Sequence, residues 1–139
     1  VASLIYNRAL ELLARGNIDF DTDTFKVMLT TSGYTENKDT HDFRDDVTNE
    51  VSGTGYTAGG QTVTVSVSLD TSNDRVDITL GGATWTSSTI TARKAVYYKS
   101  RGGAASADEL IAVIDFGSDV STNNGTFTLQ SSTLRITNA

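Results

Sequence analysis

Residues 62–80 read TVTVSVSLDTSNDRVDITL, and this stretch decides the fold class. Val63, Val65, Val67 and Leu69 alternate with Thr62, Thr64, Ser66 and Ser68, the period of two that places one apolar set on one face of a strand. Asp70-Thr71-Ser72-Asn73-Asp74 then collects turn-forming residues. Arg75 to Leu80 resumes the alternation, with Val76, Ile78 and Leu80 on the apolar side and Arg75, Asp77 and Thr79 opposite. The pattern predicts an antiparallel hairpin whose apolar sets face a core.

The same period extends to both sides of the hairpin. Phe25, Val27 and Leu29 alternate with Lys26, Met28 and Thr30, which predicts a half-buried strand with Met28 outward. Further strands are expected at Thr89–Ser100, Leu110–Gly117, Gly125–Gln130 and Thr133–Thr137. The run Leu110-Ile111-Ala112-Val113-Ile114 is apolar without alternation and predicts a central strand covered on both faces. Only the start of the chain has helical spacing. Leu4, Ile5, Ala9, Leu12 and Leu13 form a stripe, with Ser3 as the expected cap and Gly16 as the closing residue, so an amphipathic helix is placed at about 3–16. The expectation is a mainly β chain: an antiparallel β-sandwich or jelly-roll-like domain with one N-terminal amphipathic helix, the β-domain running over about 20–137.

A length of 139 residues suits one domain, 1–139. Hydrophobic residues at 37% leave enough apolar surface for a core. A formal charge of -6 disfavours DNA, RNA and anionic membrane surfaces, because binding to phosphate rests on Lys and Arg. Neither nucleic acid nor membrane is expected as a partner. With no cysteine there is no disulfide framework and no thiolate, so stability has to come from packing. Val1 to Ala9 shows no secretory pattern, which leads to an expectation of assembly in a cytoplasm. No proline guards the strand edges, a weak pointer to an assembled protein.

Chemistry is hard to place in this sequence. His41 is the only histidine, stands in a polar segment and lacks an obvious nucleophile, so it reads as exposed or capping. Asp19, Asp21 and Asp23 have the spacing of calcium ligands, yet Thr24 replaces the required glycine and Thr30 the bidentate glutamate. Asp45, Asp46 and Glu50 read as a solvated face. Gly53-Thr54-Gly55 and Gly59-Gly60 lack the Lys-Ser/Thr ending of a phosphate loop and lead into a strand. No catalytic residue, cofactor or metal is assigned, and the chain is not expected to be an enzyme.

The polar stretch Ser32–Gly60, with a short helical turn near Asp42–Glu50, is longer than a connection between strands requires. It is the expected contact surface, with Tyr34, Phe43 and Tyr56 as partner-binding residues, since aromatic anchors dominate interfaces. Trp85 is expected in the core. Tyr97 and Tyr98 are neighbours on one strand, so one of them is expected to point outward or towards another subunit.

DTDTFKVML at 21–29, SGYT at 32–35, DVTNEVSGTGYTAGG at 46–60, Trp85, TITARKAVYYK at 89–99 and LIAVIDFG at 110–117 cover most of the chain. Together they resemble a family of small structural proteins of tailed bacteriophages, described as head decoration or minor tail components. Lys94, where a smaller residue is expected, and the Ser131-Ser132-Thr133 ending depart from that pattern. The resemblance implies a virion protein, assembled in the bacterial host cytoplasm, that binds the major capsid protein or other virion subunits in many copies or as a homo-oligomer. A capsid decoration protein is the leading expectation, a neck or tail component the alternative, and a carbohydrate-binding β-sandwich module a more distant one.

Overall fold

The computed structural model describes residues 3–138. Their elements run β1 (Leu4–Ile5), α1 (Asn7–Ala14), β2 (Phe25–Thr30), β3 (Gln61–Val63), β4 (Val65–Asp70), β5 (Arg75–Leu80), β6 (Ala83–Ser88), β7 (Thr91–Lys99), β8 (Leu110–Ser121), β9 (Gly125–Leu129) and β10 (Ser132–Thr137), with single 3-10 turns at Arg44–Asp46 and Ala105–Ala107. Every strand pairing is antiparallel. A five-stranded sheet in the order β1-β8-β7-β2-β3 packs with a three-stranded sheet β10-β5-β4 and a two-stranded sheet β6-β9. The fold is a mainly β, sandwich-like architecture with one N-terminal helix, as the alternation predicts.

The centre of the large sheet is apolar on both faces. Leu110 to Val113 on β8 are all fully buried, as the unbroken apolar run requires. On β2 and β7 the pairs Val27↔Tyr97 and Leu29↔Ala95 share one face, while Met28↔Val96 and Thr30↔Lys94 share the other. Tyr97 points towards the smaller sheets, its hydroxyl donating to Gly81 O at 2.9 Å. Tyr98 points the other way and donates to Gly59 O. Both tyrosines are therefore buried, and the expectation that one of them faces outward is corrected. Met28 is buried for the same reason, so β2 is a central strand rather than a half-buried one. The cover on this second face is the segment 31–60, which strand alternation alone cannot reveal.

At the N-terminus the helix is shorter than predicted. Leu4 and Ile5 form β1 against Val113 and Ala112 of β8, so their backbone groups are engaged by the sheet and the helix starts at Asn7. Ser3 is not its cap: the Ser3 hydroxyl accepts from Asp115 N at 3.2 Å, and Tyr6 holds the cap position without a side-chain capping bond. The other end matches expectation. Gly16 has φ +79°, Gly16 N bonds Leu13 O at 3.2 Å and Asn17 N bonds Leu12 O at 2.8 Å, the paired bonds of a Schellman ending.

The hairpin forms with Val65↔Leu80 through Asp70↔Arg75, joined by residues 71–74. The strand expected to run unbroken from Thr62 is divided at Thr64, however, with Gln61–Val63 on β2 and Val65 onward on β5. Gly60 stands immediately before β3 at φ +74°, and a Cβ there would lie 1.7 Å from Val27 O. Gly102, at φ +79°, would meet nothing within 4 Å. Gly102→Ala should lower unfolding free energy by about 1 kcal/mol through its left-handed backbone alone. Gly60→Ala should cost about 3 kcal/mol or more, because overpacking is added to the backbone term. Urea unfolding of the two variants checks this, and equal losses would show that close approach at Gly60 is not a constraint.

Candidate functional site

In antiparallel strands, directly opposed residues share a face. Registers across β4, β5 and β10 thus stack three rows, apolar except for Ser132, on one side of the ribbon: Val65, Leu80 and Ser132; Val67, Ile78 and Leu134; Leu69, Val76 and Ile136. Burial falls along these rows from root to tip. Leu80 is 0% exposed and Ile78 3%, whereas Val67 is 47%, Ile136 50% and Leu69 71% exposed. The ribbon overhangs the body, and towards its tip the apolar side is left exposed. At about 25 cal/mol per Å² of apolar area, leaving such side chains in water forgoes roughly 1.5–3 kcal/mol for each that could be fully buried. A contiguous exposed apolar face of this kind marks an interaction surface more often than an isolated exposed residue does.

Beneath the overhang lies an open cleft of about 430 Å³ between the ribbon and the chain that leaves α1. Leu13, Ile18 and Phe20 form its floor, and Val67, Val76 and Ile136 its roof. The Schellman turn at Gly16 reverses the chain so that Ile18 and Phe20 pack inward, where Phe20 stacks on Phe25 at 5.3 Å between ring centroids. Asp19 and Asp21 also line the cleft. Their neighbour Asp23 turns away, accepting Asp19 N at 2.8 Å and pairing with Lys99 at 2.9 Å. Burial alone would raise the Asp23 carboxyl, but the Asp19 N–H and the Lys99 ammonium outweigh it and hold it below the usual carboxylate range. Asp19 Oδ1 accepts Asp21 N at 2.9 Å, so these carboxylates organise a turn. Among the described residues no three metal-ligating side chains converge, and no helix is long and apolar enough to cross a membrane.

The loop residues expected to bind a partner are turned inward. Tyr34 is buried: its hydroxyl bonds Tyr6 Oη at 2.7 Å and His41 Nδ1 at 2.9 Å, and burial pushes its pKa up to about 12. His41 is half-buried with its ring stacked on Tyr34, neither freely exposed nor capping. Tyr56 is half-buried, donates to Glu50 Oε2 at 2.6 Å, accepts from Leu29 N at 3.0 Å and packs on Trp85. Phe43 is half-buried in a backbone bridge to Glu109. Tyr34 is thus part of the core, while Phe43 and Tyr56 keep part of their surface exposed. A doubly apolar sheet needs its second face covered, and the loop aromatics supply that cover. Sequence reading missed Val67, Leu69 and Ile136 because their alternation is indistinguishable from that of core residues. The signal available was Ser66 and Ser68 on the opposite face, where an edge strand usually carries charge.

Fold and surface together define an antiparallel β-sandwich protein with an overhanging apolar ribbon. Comparison with family models, with curated proteins and with solved structures gave no match, so the surface is read from its own geometry.

The two regions should respond differently to substitution. Tyr34→Phe leaves the Tyr6 hydroxyl and His41 Nδ1 without their shared partner and should cost about 1–2 kcal/mol of stability. Leu69→Asp should leave the melting temperature within about 2 °C of the parent, since Leu69 contributes little to the core. Thermal unfolding of both variants tests the assignment; a large loss in Leu69→Asp would mean that the tip is part of the folding core.

Proposed function

We propose that the protein is a structural component of a bacteriophage virion, a capsid decoration protein that binds the assembled head through protein–protein contacts. The observation carrying this reading is the overhanging ribbon, whose exposed Val67, Leu69 and Ile136 form an apolar surface that the fold itself leaves uncovered. The resemblance of the segments 21–29, 46–60 and 89–99 to phage structural proteins supplies the kind of partner: the major capsid protein or another virion subunit. Assembly would take place in the bacterial host cytoplasm. The mechanism is binding alone. A ligand that recognises only the assembled shell shifts the equilibrium towards it by mass action, and many weak sites act together on a lattice.

A neck or tail location would use the same ribbon and differs in the number and placement of copies. Sugar binding is disfavoured by the positions of the aromatics. Stacking on a glycan needs an exposed ring, whereas Trp85, Tyr34, Tyr97 and Tyr98 are buried and Tyr56 is half-buried, packed on Trp85 and held by hydrogen bonds.

The test is co-sedimentation with heads assembled from the major capsid protein encoded alongside this chain, followed by imaging of occupancy. Wild-type protein should bind in copies spread over the shell. Leu69→Asp should weaken binding tenfold or more, about 1.4 kcal/mol, without loss of fold. Copies confined to one vertex would move the reading to the neck, and a wild-type protein that ignores assembled heads would overturn the decoration role.

A further inference from the structure

We infer that the free edge of β4 pairs antiparallel with β4 of a second copy, about a twofold axis through Val67. This goes beyond the virion role and does not depend on it. The phase of the ladder establishes which groups are free. Gly81 N bonds Thr64 O at 2.7 Å, so Thr64, Ser66 and Ser68 face β5 with their backbone groups. The N–H and C=O of Val65, Val67 and Leu69 consequently point to the open side, where the sheet order among the described residues places no further strand. Such an edge templates strand addition unless charge, proline or a bulge blunts it. Val65–Leu69 has none of these, whereas the opposite edge, β10, carries Arg135 paired with Asp77 at 2.7 Å.

A second copy fits this edge in one register better than any other. With Val67 opposite itself, Val65 meets Leu69 of the partner and Ser66 meets Ser68, so apolar opposes apolar on one face and hydroxyl opposes hydroxyl on the other. All the free backbone groups of Val65, Val67 and Leu69 are then paired. The burial gradient makes the same choice: antiparallel pairing lays each exposed tip, with Leu69 at 71%, beside the other copy's half-buried root at Val65. Charge is compatible as well. Despite a net -6, the pairing window is uncharged, and the two Asp70 carboxylates fall at opposite ends, about 20 Å apart, beyond the roughly 8 Å screening length of physiological salt. The strand offers far fewer than the roughly 20–30 residues a side of a stable interface, so the pair is weak in dilute solution and is filled where copies are crowded.

The chain has no cysteine, so introduced thiols report the register directly. Non-hydrogen-bonded antiparallel pairs hold Cα atoms about 4.5 Å apart, within disulfide reach. Ser66→Cys and Ser68→Cys, each exposed, should cross-link at least tenfold more when the two variants are mixed than when either is oxidised alone. Sedimentation of the full chain up to about 1 mM should show a reversible dimer, weakened tenfold or more by Val67→Lys, which sets two like charges on the axis. Circular dichroism confirms that each variant is folded. A strictly monomeric chain at about 1 mM, a dimer indifferent to Val67→Lys, or cross-linking that is equal for single and mixed variants would overturn the proposal.

Discussion

The structure depends on a sheet that is apolar on both sides. In β2, β7 and β8, residues of both parities are buried, from Val27, Met28 and Leu29 to Val96, Tyr97 and Tyr98. Helix, hairpin root and the β6-β9 pair can cover one face; the other needs a cover of its own, since an uncovered sheet centre would expose several large side chains to water. The segment 31–60 provides it. Being irregular, that segment has to find partners for its own backbone, and it does so through the bridges Thr30↔Glu50, Phe43↔Glu109 and Thr54↔Thr89. Asp46 Oδ2 accepts from Asp42 N and Phe43 N, and Glu50 Oε2 accepts from Gly59 N, so acidic residues that look like a solvated face terminate loop backbone.

Charges buried under this cover are paired. Asp108 is 1% exposed; it binds the Arg44 guanidinium at 2.8 Å and accepts Arg101 N at 2.8 Å, tying the loop to the β7–β8 connection. Arg44 also lies over the Tyr98 ring, 5.1 Å from its centroid. Lys94 reaches Tyr34 O and the Glu36 carboxylate. That gives the lysine a role in the fold: it fastens the loop to the middle of β7. Removing one partner of such a buried pair leaves an uncompensated charge, which costs more than the intact pair contributes.

Because the loop is held inward, the exposed apolar side chains lie elsewhere. The ribbon β4-β5-β10 is anchored at Leu80 and Ile78 of β5 and free at Leu69 of β4, so its apolar side changes from core to surface within one small sheet. A sheet with a buried root and an open edge can add partners without disturbing the sandwich. The same ribbon therefore combines an exposed apolar face with an unpaired backbone edge.

The sequence by itself determined the hairpin, the central position of Leu110–Val113 and the helix ending at Gly16, because each follows from local periodicity or a local backbone requirement. It could not determine how far a face is covered. Val63 and Leu69 belong to one alternating run, yet Val63 packs in the large sheet and Leu69 stands in water. Tyr34 and Tyr97 lie in very different sequence contexts, a polar loop and an apolar strand, yet both end in the core. Alternation states only that side chains share a face. Whether that face meets a second layer, a loop or solvent depends on contacts between residues far apart in the chain, and those exist only once the chain has folded.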